Sequence, residues 1–303
     1  MQALGLSDFG GEVRVLEVPE PRAPLAGEVL VAVQAAGMGP WDLLVRTGAW
    51  DVGLRPPAAL GVEGTGRVLA VGRGVSHLAP GDAVLAHQAP LPGAGGFWAE
   101  RVLLEAAHAA PRPAGLDPVS AAALPVGGLT ARQALDALDL QPGQRLLVTG
   151  GAGGTGALIV QLAAHAGIEV TATASARHVP RLRTLGARAV IDYHRRDWPA
   201  RTAGSFDAAI VAARGTAHDA IGLVRDGGSL CSLTSDAPAG ERDIRSENLY
   251  VTPSAAQLEG LARLVATGEL RLQPDPVGLA SAREALERIA AGTTAGTKPV
   301  LTF

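Results

Sequence analysis

Residues 145–175, RLLVTGGAGGTGALIVQLAAHAGIEVTATAS, constrain the fold of this chain more than any other stretch. Residues 145–149 form a short apolar run, the pattern of a buried strand. Gly150, Gly151, Gly153, Gly154 and Gly156 follow at once, and Gly151, Gly153 and Gly156 match the G-x-G-x-x-G spacing. Residues 157–166 then carry apolar side chains at helical spacing, closed by Gly167 where a C′ glycine belongs. Residues 169–173 read as a second strand. A strand, turn, helix and strand of this length make the phosphate-binding half of a doubly wound sheet. In that reading Gly151 permits the tight turn, Gly153 lets backbone approach a pyrophosphate, and Gly156 lets the helix pack on the strand. The free N–H groups and positive dipole end of the helix then face the phosphates. Ala152, Gly154 and Thr155 complete the expected cradle. The chain is glycine-rich throughout, with 39 in 303 residues, so the flanking strand and helix carry the reading rather than the spacing alone.

The end of the second strand selects the nucleotide. An NAD site usually places Asp or Glu there for the ribose 2′-hydroxyl. Here Thr173, Ala174 and Ser175 contain no acid, and Arg177 and His178 come next. A hydroxyl, a guanidinium and an imidazole suit a 2′-phosphate, since Arg pairs with phosphate oxygens through its planar fork. The expectation is NADPH.

Composition narrows the classes. With 47% hydrophobic and 18% charged residues the chain has material for large cores, which argues against disorder. A net charge of −3 without long single-sign runs gives no nucleic-acid or membrane footprint. The single cysteine, Cys231, allows no internal disulfide and no cysteine-based zinc cluster. It falls in an expected core strand and reads as a small buried hydrophobe. The N-terminus lacks the basic start and apolar stretch of a signal peptide, and no run approaches a membrane span. The expected location is cytoplasmic.

Residues 1–115 read as many short strands with Gly and Pro turns: 13–18, 28–35, 66–72, 82–86 and 97–104. From 145 onward strands and helices alternate, with helices near 178–185 and 216–224 and strands at 189–192, 207–212, 229–234 and 248–252. Helices are expected at 117–124, with Asp117 as N-cap, at 130–138 and at 255–266. A helix at 280–290 and a strand at 299–303 end the chain. The fold class is α/β: a β-rich barrel-like domain over 1–115 and a doubly wound parallel-sheet domain over 116–270, with 271–303 as a closing segment.

Several motifs in order resemble one family. They are GVEGTGRVLAVGRGV (61–75), AALPVGGLTARQAL (122–135), TGGAGGTGALIVQLA (149–163), LGARAVIDY (185–193) and GTKPVLTF (296–303). The chain resembles the zinc-independent medium-chain dehydrogenase/reductases, in the quinone oxidoreductase branch that includes zeta-crystallin. The resemblance implies a GroES-like barrel, a Rossmann domain, a closing segment that returns to the barrel, and an active site in the cleft between domains. It implies that Ser175, Arg177, His178 and Tyr193 contact the 2′-phosphate, with His178 where a lysine is common. Thr130 would approach the pyrophosphate and nicotinamide side. Ala212, Leu233, Thr234, Tyr250 and Val251 would border the ribose and nicotinamide. A homodimer through the sheet edge near 248–252 is expected, since NLYVT is a branched run able to pair across a two-fold axis.

Three departures shape the chemistry. Zinc-dependent members carry Gly-His-Glu where this chain has Gly61-Val62-Glu63, and valine cannot ligate a metal. An Asn common in the segment 37–50 is replaced by Gly39, which is expected to open space beside the nicotinamide, and a Tyr common near its end is replaced by Trp50. The expected substrate contacts are Gly39, Trp41, Trp50 and Val62, with Trp98 a further candidate for a flat apolar wall. No residue earns the role of general acid, and Asp42 and Glu63 read as structural. The expected reaction is hydride transfer from NADPH to a quinone or an α,β-unsaturated carbonyl, without metal. An enoyl-thioester reductase and an NADPH-binding protein with little turnover remain as alternatives.

Overall fold

A computed structural model describes residues 1–91, 93–195, 206–294 and 296–303. The chain begins with β1 (Gln2–Leu6), β2 (Arg14–Glu17), β3 (Glu28–Gly37), α1 (Pro40–Thr47), β4 (Ala58–Ala59), β5 (Glu63–Val71), β6 (Ala83–His87), β7 (Arg101–Glu105), β8 (Ala109–Pro111) and α2 (Pro118–Ala122). It continues through α3 (Pro125–Leu138), β9 (Arg145–Thr149), α4 (Gly154–His165), β10 (Glu169–Ala174), α5 (Val179–Thr184), β11 (Ala189–Asp192), β12 (Phe206–Val211), α6 (Ala217–Leu223), β13 (Val224–Ser232) and β14 (Arg245–Asn248). It closes with α7 (Ala255–Ala266), β15 (Pro274–Gly278), α8 (Ala282–Ala290) and β16 (Lys298–Thr302).

Two compact units result: residues 1–126 with 253–303, and residues 127–252. In the first, a sheet runs in the order β15-β16-β3-β5-β6-β8, with β7 also paired to β3 and a small sheet β2-β1-β4 beside it. Strand β3, EVLVAVQAAG, buries alternate residues along its first half, as a pleated strand with one face inward must. Val29, Val31 and Val33 are buried, and the register sets Leu104 and Val102 of β7 opposite Val29 and Val31, on the same buried face. Burying each such side chain contributes roughly 1.5–3 kcal/mol. The C-terminal strand β16 lies antiparallel to β3, so the end of the chain is built into the sheet formed by its beginning. Helix α7, which composition groups with 116–270, packs on β6 and β8 in this unit. Asp117 caps α2 through its bond from the Ser120 N–H, at 2.9 Å, as the sequence predicts.

The second unit is a parallel sheet in the order β11-β10-β9-β12-β13-β14. Numbered from its first strand this is 3-2-1-4-5-6, the doubly wound order, with the topological switch between β9 and β12. Its central strands are buried on both faces, with Leu146, Leu147, Val148, Ala208, Ala209 and Ile210 inaccessible to solvent. Cys231 lies buried in β13, where burial, reinforced by Glu247, pushes its thiol up to about 12, so it is an inert packing group.

One element differs from expectation. The last strand of this sheet is Arg245–Asn248, not residues 248–252. Leu249 donates one bond to the Ser232 carbonyl, and the chain then turns toward α3. There Gln133 holds Thr252 by bonds of 2.8 and 3.0 Å. After Asn248 the rest of the run, LYVT, leaves the sheet, and a polar run, RSEN, forms its edge.

Candidate functional site

The glycine-rich turn of the second unit divides its labour differently from the sequence spacing. The tight turn belongs to Gly150, whose φ of +69° is left-handed, while Gly151 is held by proximity: a Cβ there would lie 2.7 Å from the Ala172 Cβ on β10. A Cβ on Gly156 would stand 2.2 Å from the Gly150 carbonyl oxygen, so the turn itself demands that glycine. Gly153 is the N-cap of α4, extended and without a side chain, so no side-chain oxygen caps the first turn. Gly154 faces open space. The result is a cradle of backbone at a helix N-terminus, next to the switch point, shaped for an anion. Gly167 ends the α4 turn at φ +76°, as expected.

The parallel register of β10 and β11 pairs Ala174 with Asp192, which brings Ser175 and Tyr193 out side by side at one end of the sheet. Tyr193 is half exposed, its ring 4.3 Å from that of His194. Arg177 donates from Nε to the His178 Nε2 at 3.2 Å. Burial, with Arg177 and Arg181 adding repulsion, pushes the His178 pKa down, so its ring is a neutral acceptor that orients the guanidinium. Arg181, a residue the sequence reading passed over, donates to the Ala152 carbonyl at 3.1 Å and so stands over the glycine turn. Its signal was available: a basic residue one helical turn after Arg177 shares its face.

The other expected walls of this site come from three loops. Ala212 follows β12 and donates to the Thr149 carbonyl, while Leu233 follows β13 and donates to Val211. Thr234 is half-buried, Tyr250 is exposed and Val251 is half-buried. Thr130 lies on α3, whose start approaches the cradle: a Cβ on Gly127 would meet the Thr155 hydroxyl at 3.7 Å. Asp236, also passed over, accepts from Ser232, Thr234 and Gly215. These elements fit a nucleotide: a backbone cradle that a Cβ would fill, a guanidinium beside it, and no acid at the end of β10.

The first unit holds a second constellation. Glu63 is wholly buried, and its two oxygens accept from the Val126 N–H at 2.8 Å and from the ammonium of Lys298, the chain's single lysine, at 2.5 Å. Lys298 also stands 4.2 Å over the Trp41 ring. Asp42 is 1% exposed; its Oδ2 accepts from the Gly39 N–H at 2.8 Å. Among the described residues its Oδ1, and the Trp41 Nε1, have no hydrogen-bond partner. Burial pushes the Asp42 carboxyl up to about 8, Glu63 adding to the rise while the Gly39 amide and Lys298 oppose it. The single ammonium is thus paired with Glu63, and its charge also acts on the buried Asp42 carboxyl. The reading of Asp42 and Glu63 as structural covers their backbone bonds but missed this cluster.

The expected substrate contacts fall as follows. Gly39 does not open space: a Cβ there would lie 2.3 Å from the Trp41 indole, which covers the position. Trp41 and Trp50 are half-buried. Val62 is 1% exposed, and its carbonyl accepts from His87 Nδ1 at 2.9 Å. Trp98 is no pocket wall; it is fully buried, its Nε1 donating to the Gly37 carbonyl at 3.0 Å. Among the described residues no group of three or more His, Cys, Asp and Glu could hold a metal ion.

Comparison with known proteins agrees with both units. Residues 25–114 match the alcohol dehydrogenase GroES-like domain, and residues 185–300 match a zinc-binding dehydrogenase domain. The chain is 33% identical over 294 residues to the NADPH-dependent alkenal/one oxidoreductase, chloroplastic, of Arabidopsis thaliana, covering 92% of this chain and 72% of that protein. Over 169 residues, 55% of the chain, it is 43% identical to a pikromycin polyketide synthase component of Streptomyces venezuelae, a match that spans 4% of that protein's length. The structure of the quinone oxidoreductase from Coxiella burnetii superposes with a TM-score of 0.90 at 28% identity, covering 100% of this chain and 99% of that one.

Proposed function

The chain belongs to the medium-chain dehydrogenase/reductase family, and we propose that it is an NADPH-dependent oxidoreductase that reduces a quinone or an α,β-unsaturated carbonyl without catalytic zinc. Bound NADPH supplies a hydride, and water supplies the proton that completes the two-electron reduction. The residues of the second unit hold and orient the nucleotide. The amides at the start of α4 would meet the pyrophosphate, and Ser175, Arg177 and Tyr193 would meet the 2′-phosphate. His178 orients the Arg177 guanidinium, and Arg181 ties α5 to the Ala152 carbonyl of the glycine turn.

The observation that carries the metal-free reading is Val62 beside Glu63. A valine stands where a ligand is needed, and both oxygens of the neighbouring carboxylate are already taken by Val126 and Lys298. Without a Lewis acid to stabilise an alkoxide, simple alcohols are poor substrates. Electron-poor acceptors that spread charge over their own oxygens remain. Quinones are expected to react faster than simple enones, whose enolate needs a delivered proton.

A second reading, reduction of an enoyl thioester, is favoured by the 43% identity with a polyketide synthase component. NADPH oxidation followed at its absorbance maximum against quinones, enones and enoyl thioesters, each with and without a chelator, separates these. The first reading expects quinones and enones to be reduced and the chelator to have no effect. Activity confined to thioesters selects the second reading, and chelator-sensitive activity restored by zinc contradicts both. A homodimer through the exposed edge of β14 is part of the proposal; light scattering that shows only monomer at micromolar concentration contradicts it.

A further inference from the structure

The loops that follow β12 and β13 are tied to one another by a single carboxylate. Asp236 accepts through Oδ2 from the Gly215 N–H at 3.0 Å, and through Oδ1 from the Ser232 hydroxyl at 2.7 Å and the Thr234 hydroxyl at 2.6 Å. Gly215, with φ +77°, lies just before α6; Ser235, with φ +59°, lies just before Asp236. A serine held in the left-handed region persists only where its surroundings over-determine it, and here the carboxylate on its C-terminal side supplies that constraint. The tie continues inward. The Ser232 hydroxyl also accepts from the Thr234 N–H at 3.2 Å. Thr216, next to Gly215, donates to the Ala213 carbonyl at 2.7 Å, and its hydroxyl is 2.8 Å from that of buried Thr149 on β9. Loops from β9, β12 and β13 are thus joined at the carboxyl ends of the strands, beside the switch point where open α/β sheets bind ligands.

We propose that Asp236 is a positioning residue of the nucleotide site: it fixes the loops carrying Ala212 and Leu233–Thr234 in their binding geometry before the ribose–nicotinamide half of the cofactor arrives. The inference rests on the nucleotide-site reading above and adds a residue that touches no cofactor atom. Without the clasp each encounter with cofactor must also order two loops, and that ordering is subtracted from the affinity. Burial works to raise the Asp236 carboxyl, but the bonds from Thr234, Ser232 and Gly215 outweigh it and hold the pKa below its ordinary value, so the clasp is ionised at neutral pH. The clasp belongs to one half of the site only. Ser175, Arg177 and Tyr193 follow the carboxyl ends of β10 and β11, on the other side of β9 in the strand order.

That asymmetry gives the test. Calorimetric titration of the full chain uses two probes: NADPH, and adenosine 2′,5′-bisphosphate, which carries the 2′-phosphate and lacks the nicotinamide half. Asp236→Ala is expected to weaken NADPH about tenfold or more and to leave the bisphosphate within about twofold, whereas Arg177→Ala weakens both. Ser232→Ala, which removes one of the three donors and leaves the Gly215 bond, is expected to fall between wild type and Asp236→Ala, and it serves where the stronger variant does not fold. Equal weakening of both probes by the Asp236 and Ser232 variants means that the carboxylate only supports the fold, and overturns the proposal. Unchanged NADPH affinity in either variant that folds also overturns it. Wild-type protein that binds neither probe overturns the nucleotide site and the clasp together; wild-type binding with insensitive variants overturns the clasp alone.

Discussion

Asp42→Asn should make the protein less sensitive to alkali, which replacing a charged helix cap would not do. Asp42 is buried, 1% exposed, with one oxygen on the Gly39 amide and the other unpartnered among the described residues. Its pKa is pushed to about 8 in the fold, against about 3.9 in the unfolded chain. A folded-state pKa raised above the unfolded value means that stability is fully present below about pH 4 and is lost as pH rises through about 8. Each unit in between costs at most about 1.4 kcal/mol, so the group removes on the order of 3 kcal/mol between pH 5 and pH 7. His87 works in the opposite sense, since burial lowers its pKa and stability then grows as pH rises toward its unfolded value. The difference between wild type and Asp42→Asn isolates the carboxyl, because asparagine still offers an oxygen to the Gly39 amide and carries no proton to lose. Urea unfolding at pH 5, 6 and 7 should show Asp42→Asn gaining on wild type by roughly 1 kcal/mol per unit. Parallel curves would refute the buried neutral acid. Parallel curves are what an ionised cap paired with Lys298 would give, since Asp42 would then be deprotonated in both the folded and the unfolded chain across this range.

Arg177→Ala should weaken NADPH by about tenfold or more and leave NADH nearly unchanged, because a charge-assisted bond to phosphate contributes about 1.5–3 kcal/mol; equal weakening of both cofactors in a titration contradicts the assignment. Gly39→Ala should destabilise by about 1–3 kcal/mol through its collision with the Trp41 indole, and most of that cost should vanish when Trp41→Val is added. Additive losses in that double-mutant cycle would show that the two positions are not coupled.

What the sequence made legible was local. The strand, glycine turn and helix at 145–167 lie on consecutive residues, and period and turn chemistry identify them without tertiary knowledge. The same holds for the Asp117 cap and Gly167. Even there the spacing misassigned a part: the left-handed residue is Gly150, one place before the motif glycine, because the turn is set by where β9 ends. The long-range contacts were not legible. Glu63 and Lys298 meet across 235 positions, and nothing near either residue announces the other. Trp98 read as a candidate pocket wall because burial is a property of the whole fold, which the residues next to an aromatic in sequence do not announce. The run NLYVT has strand propensity, yet Gln133 and Ser232 take its backbone groups and leave the polar RSEN as the edge. Asp236 sat in a stretch, Ser-Asp-Ala-Pro, with every mark of an ordinary turn.

The most direct test of the account is a single initial-rate comparison in the presence of a metal chelator: reduction of a para-quinone with NADPH, the same reaction with NADH, and oxidation of a simple secondary alcohol with NADP⁺. The account predicts turnover of the quinone with NADPH, a several-fold or greater loss with NADH at subsaturating cofactor, and no measurable alcohol oxidation. Alcohol oxidation with the quinone inert, or NADH equal to NADPH, would contradict it.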